Sequence, residues 1–196
     1  MKNRAVITVL FVLALSVWGE PVRAADISEP PVVGVVAQYN GREINLADGW
    51  QGAAACVEIA ADDVRCYDSI EESDRELARL GLISEDGRAG ESTSQSIADC
   101  PWGWVCLWEW TNFNSGGRML KWSQSGTKNL GDWDFRDQAS SACVSRDQGG
   151  ARADDWRTLQ PDPSLYLGAG YCYEDFGKIS YPYGGNWNNK ADSLTM

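Results

Sequence analysis

The order of apolar and polar positions divides the chain into distinct stretches. Residues 5–18 form an apolar run broken only by Thr8 and Ser16 and preceded by Lys2 and Arg4. In "VVAQYNGREINL" two short runs flank Asn40-Gly41, a pair that tolerates the positive φ of a tight hairpin turn. "CVEIAADDVRC" repeats that pattern, with Val57, Ile59 and Val64 on either side of a polar turn. Centred on Ala61, this hairpin sets Cys56 opposite Cys66. Opposed residues of an antiparallel pair have Cα atoms about 4.5–5.5 Å apart, within disulfide reach, so the spacing predicts that bridge. Ser69 and Glu72 are spaced as a capping box that opens a helix, Ile70, Leu77 and Leu80 give it an apolar stripe, and Gly81 ends it. Glu71, Glu72, Asp74 and Glu76 read as its solvated face.

"SEDGRAGESTSQS" is small, polar and without periodicity, which predicts a linker over residues 84–98. Beyond it, short aromatic and apolar runs alternate with glycine-rich turns, the pattern of an all-β sandwich. Its first run, "CPWGWVCLWEW", spaces four tryptophans every second residue. As one straight strand it would place Trp102, Trp104, Cys106, Trp108 and Trp110 on a single face. Such a face is either a stacking platform for a ligand or the inside of the protein.

Composition narrows the class of function. The basic start, the short apolar run and the small Val22 and Ala24 read as a signal peptide over residues 1–24, and the apolar run over residues 5–18 is too short to span a bilayer. This implies a secreted, extracellular protein. With 17 basic and 28 acidic residues the net charge is −11, and removal of Lys2, Arg4 and Arg23 with the leader makes it more negative. Phosphate would be repelled, so a nucleic-acid partner is excluded. All six cysteines lie beyond the leader, and an even count in an exported chain reads as three disulfides. The chain has no histidine, which rules out Ser–His–Asp and Cys–His catalysis and the usual histidine-bearing zinc sites. "SGTK" matches the Ser-x-x-Lys spelling of acylating enzymes but has no companion motif, and paired carboxylates such as Asp154 and Asp155 are told from surface acids only by geometry. The chain is therefore expected not to be an enzyme.

A family resemblance sharpens the picture. "LWEWTNFNSGGRMLKW" resembles the opening of a βγ-crystallin Greek-key motif, with Trp108, Phe113 and Gly116 or Gly117 at the matching positions. "NLGDWDFRDQASS" is similar to that family's later loop, and "NWNNKADSLTM" repeats the loop near the C-terminus. "LYLGAGYCYEDFG" stands where a second hairpin is expected. The form "CPWGWVCLW" is closer still to secreted bacterial βγ-crystallin-fold metallopeptidase inhibitors. The resemblance implies a two-motif Greek-key domain over 99–196; with the hairpins and helix read above as a small α+β segment over 25–83, the protein is expected to be mainly β.

It also implies a local disulfide Cys100–Cys106. A straight strand would hold these cysteines ~20 Å apart, so a bridged chain must bend at Pro101-Trp102-Gly103 and break the tryptophan row. Trp108 is then a buried hairpin aromatic, while Trp102, Trp104 and Trp110 lie near the surface or against the N-terminal segment. Elimination leaves Cys143 with Cys172.

Two chemistries follow from the resemblance. In the family, paired Asn/Asp-rich loops hold Ca²⁺, which makes Asp137, Gln138, Ser140, Asn188, Asn189 and Asp192 the candidate ligands. Arg136 puts a cation where an oxygen ligand belongs, so binding is expected to be weak, on the order of 10⁻⁴–10⁻³ M. The same side chains serve equally well as turn braces. The second chemistry is inhibition of an extracellular metallopeptidase through a rigid loop in the second half, closed in the family by its own disulfide. Here the counterpart is "GAGYCYEDFGK", with Cys172 as its one cysteine, anchored through Cys143, and Tyr171 or Tyr173 as the residue that fills a specificity pocket. The alternatives are a calcium-binding structural or adhesion module, and a carbohydrate-binding module that stacks sugar on exposed tryptophans.

Overall fold

A computed structural model describes residues 32–83 and 100–196; the expected signal peptide and linker lie outside them. The chain forms β1 (Val36–Tyr39), β2 (Arg42–Asn45), β3 (Ala55–Ala60), β4 (Asp63–Tyr67) and helix α1 (Ile70–Arg79). The second segment adds β5 (Trp104–Trp108), β6 (Met119–Trp122), β7 (Thr127–Asn129), β8 (Ser141–Ser145), β9 (Ala151–Asp154), β10 (Ser164–Leu167), β11 (Tyr171–Tyr173) and β12 (Ser193–Thr195). One sheet runs β11-β8-β5-β6-β3-β4-β1-β2, and a second runs β10-β9-β12-β7. The protein is mainly β, as the alternation of short runs predicts.

The local signals act where they stand. Asn40 and Gly41 take φ of 49° and 72° and close the β1–β2 hairpin. Cys56 pairs with Cys66 across β3–β4 with Cα atoms 4.1 Å apart, and the two are bridged. The Ser69 hydroxyl accepts from the Glu72 N–H at 3.1 Å and caps α1. The Glu72 carboxylate reaches back to the Asp68 N–H, one residue before the cap. Ile70, Ser73 and Leu77 are the buried stripe; Leu80 falls beyond the last helical residue and is exposed.

The long-range order follows from strand exchange. Four strands of the second segment, β5, β6, β7 and β8, are followed by four more, β9 to β12. The third strand of each set leaves its own sheet: β7 pairs with β12, and β11 pairs with β8. Each motif thus completes the other's sheet. The second hairpin is β9–β10, joined by residues 155–163, with Leu165 opposite Ala153. It therefore lies before "LYLGAGYCYEDFG", which instead supplies most of β10 and all of β11. The β9 sequence "ARAD" carries neither an aromatic nor a glycine, which left this hairpin without its usual mark.

β3 pairs in parallel with β6, from Ala55↔Met119 to Glu58↔Trp122, so the N-terminal hairpins extend the sandwich sheet. Both faces of that sheet are covered. Val105, Leu107, Leu120 and Trp122 face the four-stranded sheet, in a core that also takes Tyr39, Leu46 and Trp50 from the first segment. Trp104, Cys106, Trp108 and Met119 face the other way, against Ile70, Leu77 and the Cys100 sulfur. The Cys100–Cys106 and Cys143–Cys172 bridges both form. The chain bends at Trp102-Gly103, where Gly103 takes φ of 89°, before β5 begins. Trp104 and Trp108 thus share one buried face; Trp104, expected near the surface, is covered by the helix layer.

Lys121 also points to that layer, and its ammonium is fully buried. It donates to the Ser73 hydroxyl at 3.0 Å and to the Asp74 carboxylate, so the helix face expected to be solvated carries an ion pair to β6. Removing one member of such a pair leaves a desolvated charge, whereas removing both does not. Asp74→Ala is expected to lower stability by about 2–3 kcal/mol, and Asp74→Ala with Lys121→Met to recover most of it. Urea unfolding of the single and double variants measures the difference, and equal losses in both would contradict it.

Candidate functional site

The two Asn/Asp loops sit back to back and exchange backbone hydrogen bonds. The Asp137 N–H donates to the Ala191 carbonyl at 3.0 Å, and the Asn189 N–H to the Ala139 carbonyl at 3.0 Å. Asp137 and Asn189 both adopt the left-handed region, at φ of 55° and 54°, which short polar side chains tolerate best among non-glycine residues. The Ser140 N–H donates to the Trp108 carbonyl, and the Asp192 N–H to the Asp154 carbonyl. The Ser140 carbonyl accepts from Phe176, and the Asp192 carbonyl from Leu130. Residue by residue, this pseudo-twofold equates Arg136 with Asn188, Ser140 with Asp192, and Glu109 with Asp155.

The two halves have different chemistry. On one side, Glu109, Trp110, Thr111, Gln138, Ser140, Asn188 and Asn189 line an open cleft of about 360 Å³. The Ser140 hydroxyl donates to Asn189 Oδ1 at 3.1 Å. Asn188 Oδ1 is buried and has no hydrogen-bond partner among the described residues. Glu109, which sequence reasoning did not single out, brings the cleft's carboxylate. Arg118 holds it, with its N–H donating at 2.9 Å and its guanidinium at 3.3 Å. The cleft therefore offers mostly neutral oxygens, a set that fits a weakly held hard cation.

On the other side a cation is built in. The Arg136 guanidinium lies 5.0 Å above the Trp156 ring, and its Nε is 3.4 Å from Asp192 Oδ1. Asp192 Oδ2 accepts the Trp156 N–H at 2.6 Å. Asp155 accepts from the Tyr181 hydroxyl and lies 3.7 Å from the Arg157 guanidinium. In this half the Arg136 guanidinium already stands beside the Asp192 carboxylate, where an added cation would meet a like charge. The six expected ligands are thus divided: Gln138, Ser140, Asn188 and Asn189 line the cleft, while Asp137 and Asp192 belong to the arginine half. No group of three or more Cys, Asp or Glu side chains placed to hold a metal occurs among the described residues.

"GAGYCYEDFGK" forms a turn, then β11, then a short 3₁₀ turn at Phe176–Lys178. Cys172 faces Cys143 in register, and their bridge pins the strand to β8 rather than closing a projecting loop. The Tyr173 hydroxyl accepts from the Gly168 N–H at 2.8 Å, and Tyr171 is 65% exposed. Of the four tryptophans in the row, Trp110 is 49% and Trp102 37% exposed. They lie beyond opposite ends of β5, a strand ~17 Å long, so they do not form one stacking surface.

Comparison with family patterns places this geometry. Residues 93–149 match peptidase inhibitor family I36. This is a family of βγ-crystallin-fold peptidase inhibitors, in line with the resemblance of "CPWGWVCLW" and the later loop. The described part of the match, from Cys100 onward, covers β5 to β8, the first Greek-key motif. Comparison with curated proteins and with solved structures returns no match. No helix among the described residues is long and apolar enough to cross a membrane.

Asp192 gives the arginine half a pH signature. Burial pushes its pKa up to about 7, and the nearby Asp137 charge adds to the rise, against the opposing effects of the Trp156 N–H and Arg136. An unfolded aspartate titrates near ~3.9, so between about pH 4 and 7 the folded state holds the extra proton. The contribution is full below that window and is lost as pH rises through it. Relative to Asp192→Asn, the wild-type melting temperature is expected to fall as pH is raised from 5 to 8. A gap between the two proteins that stays constant with pH would contradict the assignment.

Proposed function

We propose that the protein is an exported inhibitor of an extracellular peptidase, with metallopeptidases as the target class. The match of residues 93–149 to an inhibitor family carries this reading. The leader pattern at the N-terminus and the three disulfides support export, since such bridges persist in oxidising compartments. Inhibition by a substrate-like surface needs a scaffold that loses little entropy on binding. Two features supply it: the sheet shared by both segments, and the Cys143–Cys172 staple between the motifs. The test is a titration of oxidised protein lacking residues 1–24 into a thermolysin-type metallopeptidase, a serine peptidase and a cysteine peptidase, following peptide cleavage. Stoichiometric loss of the metallopeptidase activity is expected. Full activity at a large excess of protein would remove that target class, and loss confined to another enzyme would reassign it.

We also propose that the Ser140–Asn188 cleft binds Ca²⁺ weakly, a reading favoured by the buried, unpartnered Asn188 Oδ1. Calcium at tenfold excess over its Kd would add about 1.4 kcal/mol to stability. Millimolar CaCl₂ is expected to raise the melting temperature of the wild type by a few degrees, while MgCl₂ does less and Asn188→Ala abolishes the effect. An unchanged wild-type melting temperature would leave these loops as turn braces alone.

A further inference from the structure

We propose that the peptidase-contacting element is the connection 155–163 between β9 and β10, with Leu159 as the side chain that enters the enzyme's specificity pocket. This rests on the inhibitor reading and names the surface that would carry it. Leu159 is 94% exposed, the highest value among the exposed large hydrophobic residues. A single exposed leucine is common on protein surfaces and by itself says nothing. What sets this one apart is how firmly the chain on either side is held.

The base of the connection is closed by the Asp155 N–H, which donates to the Pro163 carbonyl at 3.1 Å, and both residues are buried. Above it the Arg157 N–H donates to Asp162 Oδ1 at 2.7 Å, bridging the two arms. The Arg157 guanidinium donates to Gln160 Oε1 at 3.3 Å and lies 5.7 Å from the Tyr183 ring centre. The Tyr183 hydroxyl donates to the Pro161 carbonyl at 2.7 Å, tying the descending arm to a neighbouring turn. Pro161 and Pro163 fix φ and lack an N–H, which holds Gln160 and Asp162 toward extended geometry. Only residues 158–162 stand out from the surface. The result is an apolar tip on an arch braced at its base and along its descending arm, held without any cysteine.

An arch with these properties meets the entropic requirement of a tight inhibitor, since little is left to order on binding. Leu159 presents an aliphatic group of the size that a pocket selecting leucine-like residues accepts. By contrast, β11 is pinned within the sheet by its bridge and does not project. The occupant this names is a peptidase with an aliphatic specificity pocket, in keeping with the inhibitor-family match of residues 93–149.

The test measures inhibition constants of the wild type, Leu159→Asp, Arg157→Ala and Tyr171→Ala against the metallopeptidase. Circular dichroism melts check that each variant folds. Leu159 is so exposed that its replacement leaves the core untouched. Leu159→Asp is expected to weaken inhibition by about 30-fold or more, the loss typical of a central anchor residue. Arg157→Ala is expected to weaken it less and to let the peptidase cut the chain within 158–162, seen by mass spectrometry. A wild type that inhibits together with a Leu159→Asp variant that inhibits equally well would overturn this inference while leaving the inhibitor reading intact. So would a loss confined to Tyr171→Ala. A wild type that does not inhibit would overturn both.

Discussion

The reciprocal exchange between the two loops, Asp137 to Ala191 and Asn189 to Ala139, is the constraint around which the second segment is arranged. Buried backbone groups must find partners, and in a sandwich of short strands few are available. Here each loop supplies the other's. The left-handed Asp137 and Asn189 aim their N–H groups across the pseudo-twofold, and the residues that follow enter β8 and β12. The same junction fixes where β7 and β11 cross to the opposite sheet. It also places the Ser140–Asn188 cleft, and through Asp155 it sets the root of the connection that carries Leu159. The neutral cleft, the arginine half and the protruding arch are three consequences of one packing arrangement.

The first segment acts on this arrangement from the side. By pairing β3 with β6 it turns what would be a sheet edge into the sheet's interior and covers the outer face with α1. That is why β5 is buried on both faces and why two tryptophans of the row, Trp104 and Trp108, vanish into the helix layer. An open β6 edge would expose a ladder of unpaired donors and acceptors, a template for association with other chains. Lys121 shows how complete the cover is, since its charge is satisfied from the helix and not from water.

What could be read from the sequence was what is local. Asn40-Gly41, the Cys56–Cys66 register and the Ser69 cap are each decided by residues within a dozen positions of one another, and each appears as expected. The repeated Asn/Asp loops were legible because two copies of one pattern are hard to mistake. The parallel β3–β6 pairing was not legible, since it joins residues more than sixty positions apart and leaves no periodicity of its own. The second hairpin was misplaced because Ala151, Arg152, Ala153 and Asp154 lack the aromatic and glycine that mark the first. That displacement hid Glu109 and Asp155 as equivalent positions, and with them the connection 155–163. Tyr171 and Cys172 stand out in the sequence because cysteine is conspicuous; the arch over 155–163 is built from hydrogen bonds that no spacing announces.

Arg136 shows how a repeat can diverge while its geometry is kept. The fold brings oxygen atoms together at two equivalent places, and oxygens brought together need a positive charge nearby. In the cleft half the donors are mostly neutral and Glu109 is already held by Arg118, so little charge is left to balance. In the other half Asp192 is buried beside Asp137, and two acids so placed cannot both ionise cheaply. A guanidinium stacked on Trp156 supplies the missing charge covalently, available at any ion concentration and paid for once, in sequence. The half that roots the arch is therefore the half whose buried acid is matched by a cation of the chain itself. A rigid contact surface would keep its shape whether or not the opposite cleft holds calcium.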